Sequence, residues 1–194
     1  MGSYWMLEVR EPEGQSRAAI GEQPDLDDGS QSGFMDWLSG SKFNAEMPES
    51  LVFRLSPDFG GDLTDFFPPA IPLMSERMLK ALAQAGVENI DTYPAKLLDR
   101  SGVPISEKFF AVNLIGRIAC ADLEASECQY DDPNDPVGVD FDSLVIDEVR
   151  AGGALFFRLH EAANGIVVHD NVRRMLEPLK LRGIVFVRPE EWIG

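Results

Sequence analysis

The apolar residues of this chain fall in short alternating or continuous runs broken by Gly, Pro, Ser and Asp, a pattern that predicts strands joined by turns. Tyr4–Val9 reads as a first strand and Leu51–Leu55 as another, ended by Ser56-Pro57. Phe66-Phe67-Pro68-Pro69 reads as an extended connection, because a residue ahead of proline is steered away from helix. The clearest helix runs from about Ser75 to Ala85. Ser75 is placed to cap it, Met78, Leu79 and Leu82 share one face, and Gly86 stops it. Ile90–Leu98 follows as a strand, and Lys108 to Leu123 is a long β-type run that Gly116 interrupts with a bulge or bend. Val139 to Ile146, Leu155 to Leu159 and Gly165 to Val168 are further strands. A second helix starts at Asp170 as its N-cap, and Ile184–Val187 is the last strand.

The two helical regions share a local pattern. Arg77-Met78-Leu79-Lys80-Ala81-Leu82 leads to a strand ending at Pro94, and Arg174-Met175-Leu176-Glu177-Pro178-Leu179 to one ending at Pro189. The second copy is two residues shorter, and Pro178 must kink or end its helix. Two such units fall short of a solenoid and predict an α+β fold: a mainly antiparallel, twisted sheet with two packed helices and a long N-terminal loop region. Residues 1–50 are expected to form an N-terminal strand and loop arm. Residues 11–33 are polar, with Pro12 and Pro24 as breakers, and Phe34-Met35-Asp36-Trp37-Leu38 is an apolar cluster that docks the arm on the body. Residues 51–194 form that body, and the whole reads as one globular domain.

Charge changes the picture more than size does. The chain has 194 residues, enough to hide roughly 70% of its unfolded surface without a metal or disulfide staple. Its 33 acidic residues against 17 Lys and Arg leave a formal charge of −16. Such a charge repels phosphate backbones and anionic membrane surfaces, so neither nucleic acid nor membrane is an expected partner. A compact cationic partner is favoured, since opposite fields steer encounter. Net charge also serves solubility alone. Cys120 and Cys128 lack a second pair for a zinc site and read as reduced thiols. The N-terminus lacks a secretory pattern and no apolar run approaches a membrane span, so a cytoplasmic location is expected.

Candidate chemistry is sparse. His160 ends a strand and His169 precedes a helix; either would serve as a base, yet a lone histidine at an element boundary is usually a hydrogen-bonding or capping residue. There is no G-x-S-x-G elbow, P-loop, G-x-G-x-x-G after a strand or H-E-x-x-H. Asp131-Asp132-Pro133-Asn134-Asp135 invites a calcium reading, but counted from Asp132 position five is Pro136, position six Val137 and position twelve Ser143, so an EF-hand loop fails. No catalytic, cofactor or metal residues are expected.

The acidic residues are unevenly placed. Between Arg117 and Arg150 there is no Lys or Arg, while ten acids occur: Asp122, Glu124, Glu127, Asp131, Asp132, Asp135, Asp140, Asp142, Asp147 and Glu148. This is either a solvated loop with acidic strand flanks or a surface that offers carboxylates where a basic partner expects phosphates. On the second reading Glu127, Asp131, Asp132, Asp135, Asp140 and Asp142 make the contact, with Tyr130 and Phe141 as aromatic anchors.

Several segments, in order, resemble one family. Leu73-Met74-Ser75-Glu76-Arg77-Met78-Leu79 with Val87 to Pro94 resembles a recurring ISERL…G-V…F-x-P segment. Phe109-Phe110-Ala111-Val112-Asn113-Leu114-Ile115-Gly116-Arg117-Ile118 resembles a yyavNv strand that leads into a DLE-S stretch, here Asp122-Leu123-Glu124-Ala125-Ser126. Leu155-Phe156-Phe157-Arg158-Leu159 and the closing helix and strand are similar to its C-terminal end. Trp37-Leu38-Ser39-Gly40 is similar to a Trp-rich patch in relatives. The family is the Imm11-like group of bacterial immunity proteins, whose members are encoded beside polymorphic or secretion-delivered toxins. The resemblance covers residues 51–192 and implies no catalytic residues. It implies a stoichiometric inhibitor that binds a cognate toxin and blocks its active site or substrate groove, a basic nuclease being one such toxin. The competing readings are a small enzyme built on His160 or His169, and a structural or adaptor subunit of a toxin-delivery system.

Overall fold

The structure is a computed structural model that describes residues 2–11, 14, 16–26, 36–68, 70–132 and 136–194. Phe34, Met35 and Asp135, named above, lie outside the described residues. Among the described residues there are two large sheets, a two-stranded hairpin and three α-helices, an α+β arrangement. The strands are β1 (Tyr4–Val9), β2 (Ile20–Glu22), β3 (Leu51–Leu55), β4 (Phe66–Phe67), β5 (Leu73–Ser75), β6 (Ile90–Leu98), β7 (Phe109–Leu114), β8 (Arg117–Ile118), β9 (Glu127–Gln129), β10 (Asp140–Ser143), β11 (Phe156–Leu159), β12 (Ile166–His169) and β13 (Ile184–Val187). The helices are α1 (Glu76–Gln84), α2 (Glu148–Ala151) and α3 (Asp170–Leu176).

The first sheet has the order β13-β1-β12-β11-β8 and the second the order β2-β3-β6-β7-β5-β4. Most pairs are antiparallel; β3 with β6 and β8 with β11 are parallel. Gly116 does more than bend a strand. At φ +93° it takes a left-handed conformation that a side chain disfavours, and it separates β7 in the second sheet from β8 in the first. The expected single run from Lys108 to Leu123 is therefore two strands in two sheets.

The second sheet curls on itself. Ser16 to Ala18, just ahead of β2, bonds to Asp62, just ahead of β4, through Ala18 N–H to Asp62 O (2.9 Å) and Asp62 N–H to Ser16 O (3.1 Å). The approach is close enough that a Cβ on Gly60 would stand 1.6 Å from the Ser16 carbonyl oxygen, so only glycine fits there. Phe53, Phe67, Leu73, Leu97 and Phe109 fill the inside of the curl. Trp37 joins them, packed edge-on to Phe43 and Tyr93.

Period-two alternation divides the first sheet between two cores. Leu7, Phe156, Ile166 and Val168 face the layer shared with the second sheet, where Met78 and Leu82 of α1 and Val172 and Leu176 of α3 also pack. Tyr4, Met6, Phe157, Leu159 and Val167 face the other way, beneath the β9–β10 hairpin. The first 50 residues thus supply strands to both sheets, with β1 in the interior of the first.

Local chemistry explains the helix ends. The Ser75 hydroxyl accepts from Met78 N–H at 3.1 Å, the expected cap of α1. The second expected cap differs: β12 runs on to His169, whose Nδ1 accepts from Asn171 N–H at 3.1 Å, so His169 caps α3. Asp170 instead accepts from Trp5 Nε1 and Arg173 Nε, at 3.0 and 2.9 Å. Pro94 does not end its strand, since β6 continues to Leu98 along β3. Pro178 does end α3, which passes into a 3-10 turn over Glu177–Leu179.

Candidate functional site

The acidic stretch is not one loop. Its centre is the antiparallel β9–β10 hairpin, with Asp140 opposite Gln129, Phe141 opposite Cys128 and Ser143 opposite Glu127. Strand alternation sorts its side chains by face. Phe141 turns inward, 1% exposed, and packs at 6.0 Å on the Trp192 ring. Its neighbours Asp140 and Asp142 turn outward, as do Glu127 and Gln129 on β9. Asp131 and Asp132 are exposed at the end of β9, and Tyr130 beside them is 39% exposed.

Phe141 is therefore no contact anchor. It is the core residue that holds the hairpin to the first sheet, and the D-F-D alternation with apolar Val139 and Leu144 was the available signal for that direction. Glu127, Tyr130, Asp131, Asp132, Asp140 and Asp142 share the exposed hairpin region.

Three other acids of the stretch are occupied by the fold. Asp122 accepts from Ala125 N–H, and its carbonyl accepts the Ser126 hydroxyl at 2.6 Å, closing a turn. Asp147 caps α2 by accepting from Val149 and Arg150 N–H, at 2.9 and 3.1 Å. Glu148 accepts from Ser3 N–H at 2.6 Å and from the Ser3 hydroxyl at 3.0 Å, and these bonds hold its carboxyl below the usual range. Glu124, Glu127, Asp131, Asp140 and Asp142 form no ion pair with the described residues.

Beneath the hairpin lies a carboxyl that the sequence did not single out. Glu161 is 3% exposed; one oxygen accepts from Ala121 N–H at 3.3 Å and the other has no partner. Burial pushes its carboxyl up. Burial, with Glu161 nearby, also pushes the Cys120 thiol up to about 12, which leaves it unreactive. Cys120 and Cys128 are both free thiols.

The histidines have local duties. His169 caps α3 and stands edge-on to Tyr4 at 5.3 Å. The His160 amide donates to Ile118 O, and its carbonyl accepts from Arg117 Nη2 at 2.6 Å. A cleft of about 550 Å³ opens between the sheets, lined among others by Leu7, Arg17, Phe66, Pro68 and Trp192, and neither histidine lines it. Among the described residues, no group of three or more His, Cys, Asp and Glu is placed to hold a metal ion, and no helix is long and apolar enough to cross a membrane.

A structural acid cluster sits elsewhere, and no residue pattern announced it. Asp65 is fully buried and accepts from the Ser75 hydroxyl and Arg182 N–H, both at 2.6 Å. The Arg182 guanidinium reaches it at 3.4 Å and also pairs with Glu107. Burial alone would raise the Asp65 carboxyl, but the bonds from Ser75 and Arg182 outweigh it and leave it below the ordinary range.

The chain thus presents an exposed carboxylate hairpin on an α+β architecture. A model of the Immunity protein family (Imm11) matches residues 6–190, and the chain belongs to that family. Membership gives it a toxin-immunity role. No curated protein matches the sequence.

Proposed function

We propose that this chain binds a cognate toxin with a basic surface through the outer region of the β9–β10 hairpin and neutralises it by covering its active site or substrate groove. The observation that carries the reading is the division of labour among the acids. Asp122, Asp147 and Glu148 are spent on turns, a cap and the N-terminus, whereas Glu127, Asp131, Asp140 and Asp142 are exposed without an ion pair among the described residues. Like charges held on one hairpin repel one another, and a cationic partner relieves that repulsion while gaining a faster encounter. A nuclease is the toxin class whose basic substrate groove such a surface fits best, and the encounter takes place in the cytoplasm of the producing cell. The protein acts by occupancy and not by catalysis, with His169 committed to capping α3.

Co-expression with the product of the neighbouring gene tests this. The expected outcome is restored growth of the host and a stable complex that co-purifies. Continued toxicity with no complex would rule the reading out.

A further inference from the structure

We infer that the partner engages by adding a basic β-strand to the free edge of β9. The inference rests on the toxin-binding reading above and concerns how the hairpin grips. Phe141 N–H donates to Gly194 O (3.2 Å), and Gly194 N–H donates to Phe141 O (3.1 Å). Both backbone groups of Phe141 thus point away from β9. Phe141 and Cys128 are directly opposite, so theirs is the pair without mutual hydrogen bonds in the antiparallel ladder. It follows that the Cys128 N–H and C=O point outward, along the edge of β9 that no strand among the described residues covers. No backbone group among the described residues outside the hairpin bonds to either. The Cys128 thiol is turned in, 3.9 Å from the Leu123 carbonyl oxygen, so the edge presents backbone and not sulfur. By the same alternation the next outward amide is that of Tyr130, an exposed residue.

The inner edge of this small sheet is closed by Gly194, and among the described residues the outer edge is open. An open edge is a template for one more strand, with main-chain bonds for affinity and alternate side chains for selection. The charges on the hairpin choose the occupant. A second copy of this chain paired there would place Glu127 of each copy along the shared seam with Asp140 and Asp142 one strand behind, and like charges brought together in a sheet are destabilising. A strand with Lys or Arg at alternate positions would instead meet Glu127 directly and Asp140 and Asp142 across the sheet. The occupant is accordingly an edge strand of the basic toxin.

The test is amide hydrogen exchange on the full chain, alone and saturated with the co-expressed product of the neighbouring gene. Strand addition predicts that the Cys128 and Tyr130 amides slow by roughly tenfold or more in the complex. It also predicts that Cys128→Pro, which removes the outward N–H, weakens binding by roughly tenfold, the value of one hydrogen bond. A complex in which both amides exchange as fast as in the free chain would overturn strand addition and leave toxin binding standing. No complex with that product would remove both. If Cys128→Pro fails to fold, the exchange measurement on the parent chain decides alone.

Discussion

Two carboxylate clusters in this molecule place the same chemistry in opposite surroundings. Around Asp65 the charge is buried and met by Ser75 and Arg182, and Arg182 is met in turn by Glu107. On the β9–β10 hairpin Glu127, Asp131, Asp140 and Asp142 are exposed and meet no cation among the described residues. The first cluster joins β4, the start of α1 and the turn before β13, and so ties the two sheets together. The second forms no ion pair among the described residues. Acids that hold a fold are saturated with hydrogen bonds, because a buried charge without partners is costly. Under the proposed function the hairpin acids wait for a partner in water, where they cost little until it arrives.

The largest effect that sharpens this contrast should come from Phe141→Ala. If Phe141 is the core residue that seats the hairpin, its truncation should cost about 4 kcal/mol in urea unfolding, as other buried Phe truncations do. A loss under about 1 kcal/mol would mean that the ring is not packed as described.

Asp65→Ala should follow, at about 3 kcal/mol, because it strands Ser75 and Arg182 without their acceptor. Its sign with pH is fixed by the lowered folded-state carboxyl. The stability that Asp65 gives is complete above the unfolded value of about 3.9 and is lost as pH falls through the lower folded value. The gap between parent and Asp65→Ala should therefore narrow in acid, with a residue that reflects lost packing. Toxin binding at neutral pH by the folded variant should be unchanged, which separates this cluster from the hairpin.

Much of the scaffold was legible because its signals are local. Ser75 ahead of an amphipathic run with Gly86 behind it marked α1 to within a residue, and the period-two runs marked β1, β3, β6 and β13. The rest depended on distant contacts. Glu127–Gln129 carries too few apolar residues to read as a strand, and becomes one only because β10 pairs with it. Glu148–Ala151 is a single turn of helix, too short for a periodic signal. That Leu114 and Arg117 belong to different sheets is set by partners far along the chain, β6 for one and β11 for the other.

For the site, the cation-free stretch between Arg117 and Arg150 was visible from composition. Which of its acids face solvent was not, since that follows from a hairpin and a set of caps made by residues as distant as Ser3. Asp65 and Glu161 gave no signal at all, because an acid is singled out as buried only by what folds over it.

The smallest effect on stability and the most direct test of the central claim come from one variant, Glu127→Gln with Asp131→Asn, Asp140→Asn and Asp142→Asn. With no ion pair to break, its unfolding free energy should stay within about 0.5 kcal/mol of the parent. The deciding measurement is the association rate with the toxin for parent and variant between about 50 and about 500 mM salt, across which charge steering is screened out. Charge steering predicts a parent rate that falls steeply with salt, and a variant rate that starts roughly tenfold or more lower and is nearly flat. Equal rates with equal salt dependence in the two proteins would show that the hairpin acids do not meet the toxin.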